Sequence, residues 1–414
     1  MSVAFCCETP SLSRRALLVT GGALVAWAHL PRAVRAASGR DPNLIVIILR
    51  GALDGLAAAG PVGDPDYASL HGDIALSLTG EHAALPLDGF FALNPAMPTF
   101  ARLYKAGQAT LVHAVATSYR ERSHFDGQDV LESGYAGPGR TDSGWLNRAI
   151  GSLPAGDELR SARGLGVGAV APLIMRGAAP VLGWAPQIVP TASDDFAARV
   201  LNLYMHRDLA LAGALREGLE TDKLATRGGL NGDIAKARGG MDQPNGMRQA
   251  AMGVAKLMAA SDGPSVAALA FDGFDTHANE GGATGQLATR LSGLDAAFEE
   301  FEKGLGSKWN DTAVVAITEF GRTAKINGTI GTDHGTGTIA LLAGGAIKGG
   351  RVIADWPGLK PRQLYQGRDL KPTTDLRAVL KGLLSDQFGL TEAVLAESVF
   401  PNSASVKPMR GLIV

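Results

Sequence analysis

Three acidic tripeptides in the C-terminal half of the chain contain side chains that bind metal ions in proteins. They are Asp275-Thr276-His277, Glu319-Phe320-Gly321 and Asp333-His334-Gly335. In an extended segment, Asp275 and His277 point to the same side, as in a His–carboxylate metal site. Carboxylates, imidazoles and hydroxyls are ligands for zinc, manganese, magnesium or calcium. The tripeptides therefore predict a site for a divalent metal.

Strands of a parallel sheet must position these residues. Two apolar, β-branched runs, 266–271 and 313–318, lead into the first two tripeptides, and the segment 286–305 between them has one apolar helical face. A strand, a helix and a strand of this length form a βαβ unit, which requires parallel strands. Because the carboxyl ends of parallel strands open onto one crevice, the tripeptides are expected to converge there.

A third predicted strand, 44–49, leads into a turn with two charged side chains. Its residues are apolar throughout, as in a strand that is buried on both faces. The turn that follows contains Arg50 and Asp54. Asp54 precedes a glycine, so on its own it is better explained as a turn residue.

A fourth predicted strand, 110–116, is followed by Ser123 and His124. The segment 125–132 has helical character, which places Ser123 near a helix N-cap. Backbone N–H groups and the positive end of the helix dipole favour an anion at such a position. The alternative is that Ser123 is an N-cap and nothing more.

The tripeptides also have structural alternatives. Asp275 and His277 can be polar groups of a solvated turn. Glu319 and Arg322, three residues apart, can form an exposed salt bridge worth under about 1 kcal/mol. Asp333-His334 lies between glycines and is hard to explain by core packing. The set as a whole therefore favours a metal site more strongly than any member does.

Composition excludes several classes of protein. The chain has 414 residues, 46% of them hydrophobic, with a formal net charge of -1 and 54 glycines. These values are typical of a folded globular protein with many tight turns. They offer no basic patch for nucleic acid. Helical spacing predicts helices over 196–222 and 247–260, and the Gly-rich stretch near 226–246 predicts a mobile loop.

The first 37 residues predict a twin-arginine signal peptide. Ser13-Arg14-Arg15-Ala16-Leu17-Leu18 is followed by an apolar stretch, 16–30, and then by small residues. The alternative is an uncleaved anchor, but the apolar stretch is short for a membrane span and contains two glycines. We expect a mature domain over 38–414 that is periplasmic or secreted, has the twin-arginine export machinery as a partner and keeps no stable membrane anchor.

Both cysteines of the chain, Cys6 and Cys7, lie within this predicted signal. A mature protein that begins near residue 38 therefore has no disulfide, no thiolate zinc site and no cysteine nucleophile. Metal binding is left to His, Asp, Glu and hydroxyl groups.

Five segments resemble the exported bacterial family DUF1501, a domain of unknown function. They are Leu49-Arg50-Gly51-Ala52-Leu53-Asp54-Gly55-Leu56, Arg122-Ser123-His124-Phe125-Asp126, Asp275-Thr276-His277, Thr318-Glu319-Phe320-Gly321-Arg322-Thr323 and Asp333-His334-Gly335. That family is grouped with the alkaline-phosphatase-like superfamily, which includes sulfatases. The resemblance implies an α/β fold in three layers, with a doubly wound, mostly parallel central sheet and helices on both faces. It implies no established reaction.

The same resemblance implies roles for single residues. One metal ion would be held by Asp54 and Glu319, and a second by Asp275, His277 and His334. The nucleophile would be Ser123, with Ser118 as the alternative, and the oxygens of the anion would be bound by Arg50, Arg120 or Arg322. The superfamily has a histidine directly after its second acid, whereas this chain has Phe320. One metal site is therefore depleted or uses His124 instead.

These residues support three hypotheses. The first is a metal-dependent hydrolase of a small anionic phosphate or sulfate ester. The second is a non-catalytic exported binding or assembly protein on a degenerate hydrolase fold, with a secreted protein as its partner. The third, a redox enzyme, has only the export route in its favour, because the chain lacks a dinucleotide-binding glycine motif.

Overall fold

The computed structural model of the chain describes most residues after the first 39. These are residues 40–140, 142–154, 163–168, 170–185, 194–209, 211–213, 215–216, 219 and 241–414. The predicted signal peptide and most of the predicted Gly-rich loop lie outside the described residues. Within them, Pro42–Val414 belongs to one compact unit. No described helix is long and apolar enough to cross a membrane.

A large central sheet and a small antiparallel sheet contain the strands of the described residues. The strands are β1 (Asn43–Leu49), β2 (Ala59–Gly60), β3 (Leu85–Pro86), β4 (Ala92–Leu93), β5 (Ala109–Ala116), β6 (Gly164–Val167), β7 (Val181–Trp184), β8 (Val266–Phe271), β9 (Thr312–Ile317), β10 (Thr338–Ala343), β11 (Val352–Ile353) and β12 (Thr374–Asp375). The central sheet has the order β11-β5-β10-β9-β1-β8-β6-β7, with β12 also paired to β5, and β2-β4-β3 form the small sheet.

Most neighbouring strands of the central sheet are parallel. β1 pairs in parallel with β8 on one side and β9 on the other. β6 is parallel to both β8 and β7. β10 is antiparallel to both of its neighbours, β5 and β9. The crossover from β8 to β9 runs through a single long helix, as the predicted βαβ unit requires.

The helices surround this sheet. They are α1 (Gly55–Ala58), α2 (Tyr67–His71), α3 (Pro98–Lys105), α4 (His124–Ser133), α5 (Trp145–Ser152), α6 (Asp194–Arg207), α7 (Pro244–Ala259), α8 (Gln286–Leu305), α9 (Leu376–Phe388) and α10 (Glu392–Val394). Short 3₁₀ segments at Gly72–Ile74, Leu173–Met175 and Gly306–Asp311 and a π-helical segment at Leu395–Val399 complete them. The N-cap residue of α9 is Asp375, whose side chain accepts the backbone N–H of Arg377, and its C-cap residue is Gly389 in the left-handed region.

Two hydrophobic cores lie on opposite faces of the sheet. Side chains of β1 alternate between them: Ile45, Ile47 and Leu49 pack with α3, α7 and α8, and the intervening residues pack with α5 and α9. All seven residues of β1 are buried. Each buried Ile, Leu or Val contributes roughly 1.5–3 kcal/mol relative to exposure. The predicted three-layer α/β fold, with a mostly parallel sheet and helices on both faces, is confirmed.

The strands that the sequence patterns did not predict are short or interrupted by glycine. The segments 151–190 and 351–366 show no strand pattern in the sequence, but they contain β6, β7 and β11. β6 and β7 have four residues each and contain glycines, so they show neither a long apolar run nor alternation. β10 lies in a stretch bounded by glycines and follows the tripeptide at 333–335, instead of leading into it as β8 and β9 lead into theirs.

Candidate metal centre

The turns that follow β1, β8 and β9 meet at one edge of the sheet. Leu49 pairs with Phe271, and Ile48 pairs with Ile317, so the three strands end side by side. Gly51, at φ +116°, lies so close to the turn after β8 that a Cβ there would be 2.4 Å from the Asp275 backbone nitrogen. Any side chain at this position would force the two turns apart.

Four side chains converge at this edge, and we call them the His3Asp cluster: His124, Asp275, His277 and His334. Ligand atoms of His124, Asp275 and His334 all lie within 4.8 Å of one another. Nε2 of His334 is 2.9 Å from Nε2 of His124 and 2.9 Å from Nε2 of His277. The Asp275 carboxylate is 3.0, 3.3 and 3.4 Å from Nε2 of His277, His334 and His124 respectively.

The other ring nitrogen of each histidine faces an acceptor. The Nδ1–acceptor pairs are His124 with Glu319 Oε1 at 2.8 Å, His334 with the Arg122 carbonyl at 3.0 Å, and His277 with Asp333 Oδ1 at 3.5 Å. Carbonyls and ionised carboxylates only accept hydrogen bonds, so these acceptors suit the tautomer that has its proton on Nδ1. That tautomer leaves the lone pair of each Nε2 for a cation. Metal-binding histidines have this same arrangement.

The positions of the Nε2 atoms fit a metal ion better than they fit protons. If protons held the cluster together, the single lone pair of His334 Nε2 would have to accept from His124 and His277 at once. One cation between Nε2 of His124, Nε2 of His334 and the Asp275 carboxylate satisfies these three groups, and His277 lies at their side. Because two of these three donors are imidazole nitrogens, the set suits zinc or another transition metal better than magnesium or calcium.

Neighbouring charges favour the ligand forms of two cluster members. Burial alone would raise the pKa of Asp275, but the Arg322 guanidinium, 2.5 Å from its Oδ1, lowers that pKa below its usual value. Burial, together with the positive charges of His124 and Arg322, lowers the pKa of His334. A metal ion binds an ionised carboxylate and a neutral imidazole, so both shifts favour binding.

Glu319 is fully buried and holds His124 in place. Its carboxylate accepts hydrogen bonds from His124, from the Gly51 backbone N–H at 3.0 Å, from the Thr318 hydroxyl at 2.8 Å and from Gln128 at 3.2 Å. Burial alone would raise the pKa of Glu319, but these hydrogen bonds lower it. The hydrogen bond to Glu319 in turn raises the pKa of His124. Glu319 therefore acts on the cluster through His124.

Phe320 occupies the position at which the resemblance implies a histidine. Its ring centroid lies 5.1 Å from that of His124 and 5.3 Å from that of His334, and the side chain is buried. An apolar ring in this position packs against the two imidazoles and adds no ligand. The described residues at this edge therefore form a single ligand cluster.

Arg322 is a buried structural residue with no free face for a substrate. Its guanidinium donates to the carbonyls of Ala52, Gly51, Phe274 and Thr332 and to the carboxylate of Asp275. These bonds join the turns after β1 and β8 to the 332–334 segment. Arg322 is placed to fix Asp275 in the cluster, a different task from the anion binding that the resemblance implies.

Ser123 lies between two residues that hold the cluster. It is the N-cap residue of α4, but its side chain makes no capping hydrogen bond. Arg122 before it has φ +61°, a left-handed conformation that is uncommon for a residue other than glycine. Its carbonyl accepts from Nδ1 of His334, and His124 follows Ser123 directly. Ser123 is therefore adjacent in the chain to two residues that contact the cluster, and its hydroxyl is not used as a cap.

The remaining candidate side chains, Arg120, Ser118 and Arg50, differ in which of their donor groups are already hydrogen-bonded. Arg120 donates to the carbonyls of Thr117 and Tyr119, and the Ser118 hydroxyl donates to the carbonyl of Ala136 at 3.0 Å. Arg50 bonds Glu132 at 3.0 Å, and its side chain is 33% exposed. The bonds of Arg120 use only Nη1 and that of Arg50 only Nη2, so both of these arginines keep donors for an anion, whereas Arg322 is buried and fully engaged.

Asp54 belongs to a second, fully buried group of titratable side chains. One of its oxygens accepts the N–H groups of the first turn of α1, and the other lies 3.3 Å from Nε2 of His71. Glu280 lies against Asp54 and accepts the Thr332 hydroxyl at 2.7 Å. The structure thus gives Asp54 and Glu319 different partners, and Asp54 is not a member of the His3Asp cluster.

The charges of this buried group are set by its geometry. Burial opposes charge on both Asp54 and His71, but each stabilises the other, so the pKa of Asp54 is lowered and that of His71 is raised. Burial and the negative charge of Asp54 raise the pKa of Glu280 well above its usual value. The group is therefore an ion pair beside a neutral carboxylic acid.

Replacing Glu280 by Gln is expected to remove a loss of stability at higher pH. The folded protein keeps a proton on Glu280 that the unfolded chain releases above its pKa of 4.5, so wild-type stability falls as the pH rises from there to the folded pKa. The loss is about 1.4 kcal/mol per unit of pKa difference. Urea unfolding at about pH 5 and about pH 8 measures it. Relative to wild type, Glu280→Gln should become more stable from the lower to the higher of these two pH values. The surface control Glu81→Gln should keep the wild-type pH dependence. A Glu280→Gln variant with the same pH dependence as wild type or this control would contradict the assignment.

Sequence patterns did not indicate His71 or Glu280. His71 ends a five-residue helix, and no apolar strand leads into it. Glu280 lies three residues after His277, in the same turn, and that proximity was the one available signal. Asp333 was noted only with His334, although it is the acceptor next to Nδ1 of His277.

Comparison with known proteins identifies the family. A family model described as "Protein of unknown function (DUF1501)" matches residues 41–399. The chain belongs to the DUF1501 family. This match spans all five segments on which the resemblance was based. A comparison of this DUF1501 protein with curated proteins found no match.

Several solved structures are distantly similar to this DUF1501 protein. Ps i-CgsB in complex with k-i-k-neocarrahexaose has 12% identity and a TM-score of 0.38, over 89% of this chain and 77% of that one. The phosphonate monoester hydrolase of Agrobacterium radiobacter has 12% identity and a TM-score of 0.34, over 85% and 74%. The phosphonoacetate hydrolase of Sinorhizobium meliloti 1021 has 14% identity and a TM-score of 0.31, over 68% and 56%. Similarities of this size assign neither activity nor substrate.

Proposed function

We propose that this DUF1501 protein is an exported, metal-dependent hydrolase of phosphate or sulfate esters, with the Ser123 hydroxyl as nucleophile. The observation that supports this most strongly is the His3Asp cluster, in which ligand atoms of His124, Asp275 and His334 lie within 4.8 Å of one another and Nε2 of His277 lies 2.9 Å from Nε2 of His334. A divalent ion bound there would stabilise negative charge on a phosphoryl or sulfuryl oxygen.

The residues around the cluster are proposed to hold its members in place before substrate arrives. Glu319 and the Arg122 carbonyl fix the rings of His124 and His334, and Arg322 fixes Asp275. Such preorganised partners keep ligand geometry without reorganisation during the reaction. Arg50, anchored by Glu132 but partly exposed, is the proposed donor to the outer oxygens of the ester.

The proposed reaction has two substitutions. The Ser123 oxygen bonds to phosphorus or sulfur as the bond to the leaving alcohol breaks, and water then releases phosphate or sulfate from the serine. The start of α4 contributes backbone N–H groups and the positive end of its dipole beside the incoming anion. We propose one metal ion per chain, because Phe320 packs against both imidazoles at this edge and supplies no further ligand.

Removal and return of metal test this function. Protein purified from the periplasm, with a mass that shows loss of the first 37 or so residues, is assayed on aryl phosphate, aryl phosphodiester and aryl sulfate, before and after chelation. Turnover of at least one ester should disappear on chelation and return with zinc or manganese. Turnover that survives complete stripping would contradict metal dependence. Bound metal without turnover on any ester would favour the alternative function, a non-catalytic binding protein. The presence of Phe320 where the resemblance implies a histidine also favours this alternative.

A further inference from the structure

Two large apolar side chains beside the His3Asp cluster are exposed to solvent. Phe125, which follows His124 in α4, is 90% exposed and is the most exposed large hydrophobic side chain of the described residues. Ile330 is 45% exposed and lies in the loop 327–331. Single exposed apolar residues are common on protein surfaces, so their position and conformation decide whether these two have a function.

The two side chains are attached to the two outer histidines of the cluster. Nε2 of His334 lies 2.9 Å from Nε2 of both other histidines, so His334 lies between them. Phe125 directly follows one of these two, His124. Ile330 belongs to a loop whose side chains donate twice to the backbone carbonyl of the other, His277. A ligand at the cluster therefore has Phe125 next to one outer histidine and Ile330 next to the segment of the other.

The polar side chains of the loop around Ile330 are bonded to the cluster segment. Asn327 and Thr329 both donate to the carbonyl of His277 at 2.9 Å, and Asn327 also donates to Asp333 at 3.1 Å. Exposed segments of a protein normally present polar side chains to water. In this loop the polar side chains bond to the protein instead, and a large apolar side chain is exposed.

Ile330 also has a backbone conformation that its side chain disfavours. Its φ is +56°, in the left-handed region, which is a genuine outlier for a β-branched residue. The loop fixes this backbone, since the carbonyl of Ile330 accepts the N–H of Glu280 at 2.9 Å. Glycine or asparagine would adopt this conformation with less strain. Strained residues are concentrated at active sites and ligand-binding sites, so the strain and the position of Ile330 both indicate contact with a ligand.

We propose that Phe125 and Ile330 bind an apolar group on the alcohol part of the ester and thereby select the substrate. This inference rests on the proposed function. With the anion of the ester at the cluster, the alcohol part lies toward solvent, where both side chains are exposed. A ligand that covers them removes apolar surface from water. The substrate class is therefore a phosphate or sulfate ester of an apolar alcohol, in preference to that of a sugar.

Two phosphonates test this selection without a chemical step. Methylphosphonate and benzylphosphonate have the same anionic head, have no ester bond to break, and differ by one phenyl ring. Titration calorimetry of the zinc-loaded protein measures both dissociation constants. Wild type should bind benzylphosphonate about tenfold more tightly, because part of the ring is buried against Phe125 and Ile330. Phe125→Ala should reduce this preference to about twofold or less.

Ile330→Asn separates a ligand contact from a structural role. Asparagine is polar and tolerates the left-handed conformation, so this variant should unfold at a higher urea concentration than wild type. Its preference for benzylphosphonate should fall to about threefold or less. Val414→Ala is the matched control, because it shortens an exposed apolar side chain at the other end of the sheet, where Ala346 bonds to the start of β9. It should keep the wild-type preference.

The outcomes separate this inference from the proposed function. Equal affinities of wild type for the two phosphonates, or an unchanged preference in both Phe125→Ala and Ile330→Asn, would overturn the selection of apolar alcohols and leave the anion site in place. An Ile330→Asn variant less stable than wild type would show that Ile330 serves the fold, and would overturn its part in the inference. A wild-type protein that binds neither phosphonate would contradict the proposed function, and this inference with it.

Discussion

Ser123→Ala is expected to abolish ester hydrolysis and to leave metal binding unchanged. The substitution removes the proposed nucleophile, and loss of such a group lowers kcat on the order of 10³-fold or more. The side chain makes no capping hydrogen bond in α4, so its removal should cost little stability. Turnover of the responsive ester, metal per chain and urea unfolding of the variant give the three measurements.

Ser118→Ala is the matched control for this variant. Ser118 lies five residues earlier in the same segment, was the alternative nucleophile by sequence, and donates its hydroxyl to the Ala136 carbonyl. It should retain nearly wild-type turnover. Loss of turnover in Ser118→Ala with retention in Ser123→Ala would move the nucleophile to Ser118. Full activity in both variants would leave water, and no serine, as the attacking group.

His334→Ala is expected to abolish specific metal binding. Nε2 of His334 lies 2.9 Å from two other imidazole nitrogens and 3.3 Å from Asp275, so this residue occupies the middle of the cluster. Loss of a residue that only supports a ligand already costs about 10–100-fold in metal affinity, so loss of this ligand should cost at least about 100-fold. Hydrolysis should be lost with the metal.

Thermal or urea unfolding with and without added zinc measures this effect independently of activity. A ligand that binds only the folded protein stabilises it by about 2.7 kcal/mol when free ligand is 100 times Kd. Wild type should show this gain, and His334→Ala should not. His82→Ala, which changes an exposed histidine, is the matched control and should behave as wild type does. A metal-dependent gain in His334→Ala equal to that of wild type would place the metal elsewhere.

The sequence was sufficient to predict the centre of the sheet. β1, β8 and β9 are continuous apolar runs that end abruptly, and their observed bounds differ from the predicted ones by one residue or less. Because a parallel sheet aligns the ends of such strands, the convergence of Asp275 and His277 with the neighbouring turns follows from the strand pattern. The short strands β6 and β7 lack that pattern, and their place in the sheet depends on contacts with residues distant in the chain.

The sequence did not show which side chains bond to one another within the site. Glu319 and Arg322 are both charged and lie three residues apart, which fits an exposed salt bridge, yet both are fully buried and bond to different groups. Their partners are up to about 270 residues away along the chain, so local spacing carries no information about them. The same holds for Asp54, whose carboxylate faces His71 across a fully buried space.

Metal analysis of the wild-type protein is the direct test of the proposed metal site. We expect one divalent transition-metal ion, most simply zinc, per chain in folded protein purified without chelator, and less than about a tenth of that in Asp275→Asn purified in the same way. The Asp275 carboxylate lies 3.0 to 3.4 Å from Nε2 of each histidine of the His3Asp cluster, so its replacement removes the carboxylate ligand of the proposed site. A wild-type protein without stoichiometric metal, or an Asp275→Asn protein with the full wild-type amount, would contradict the account.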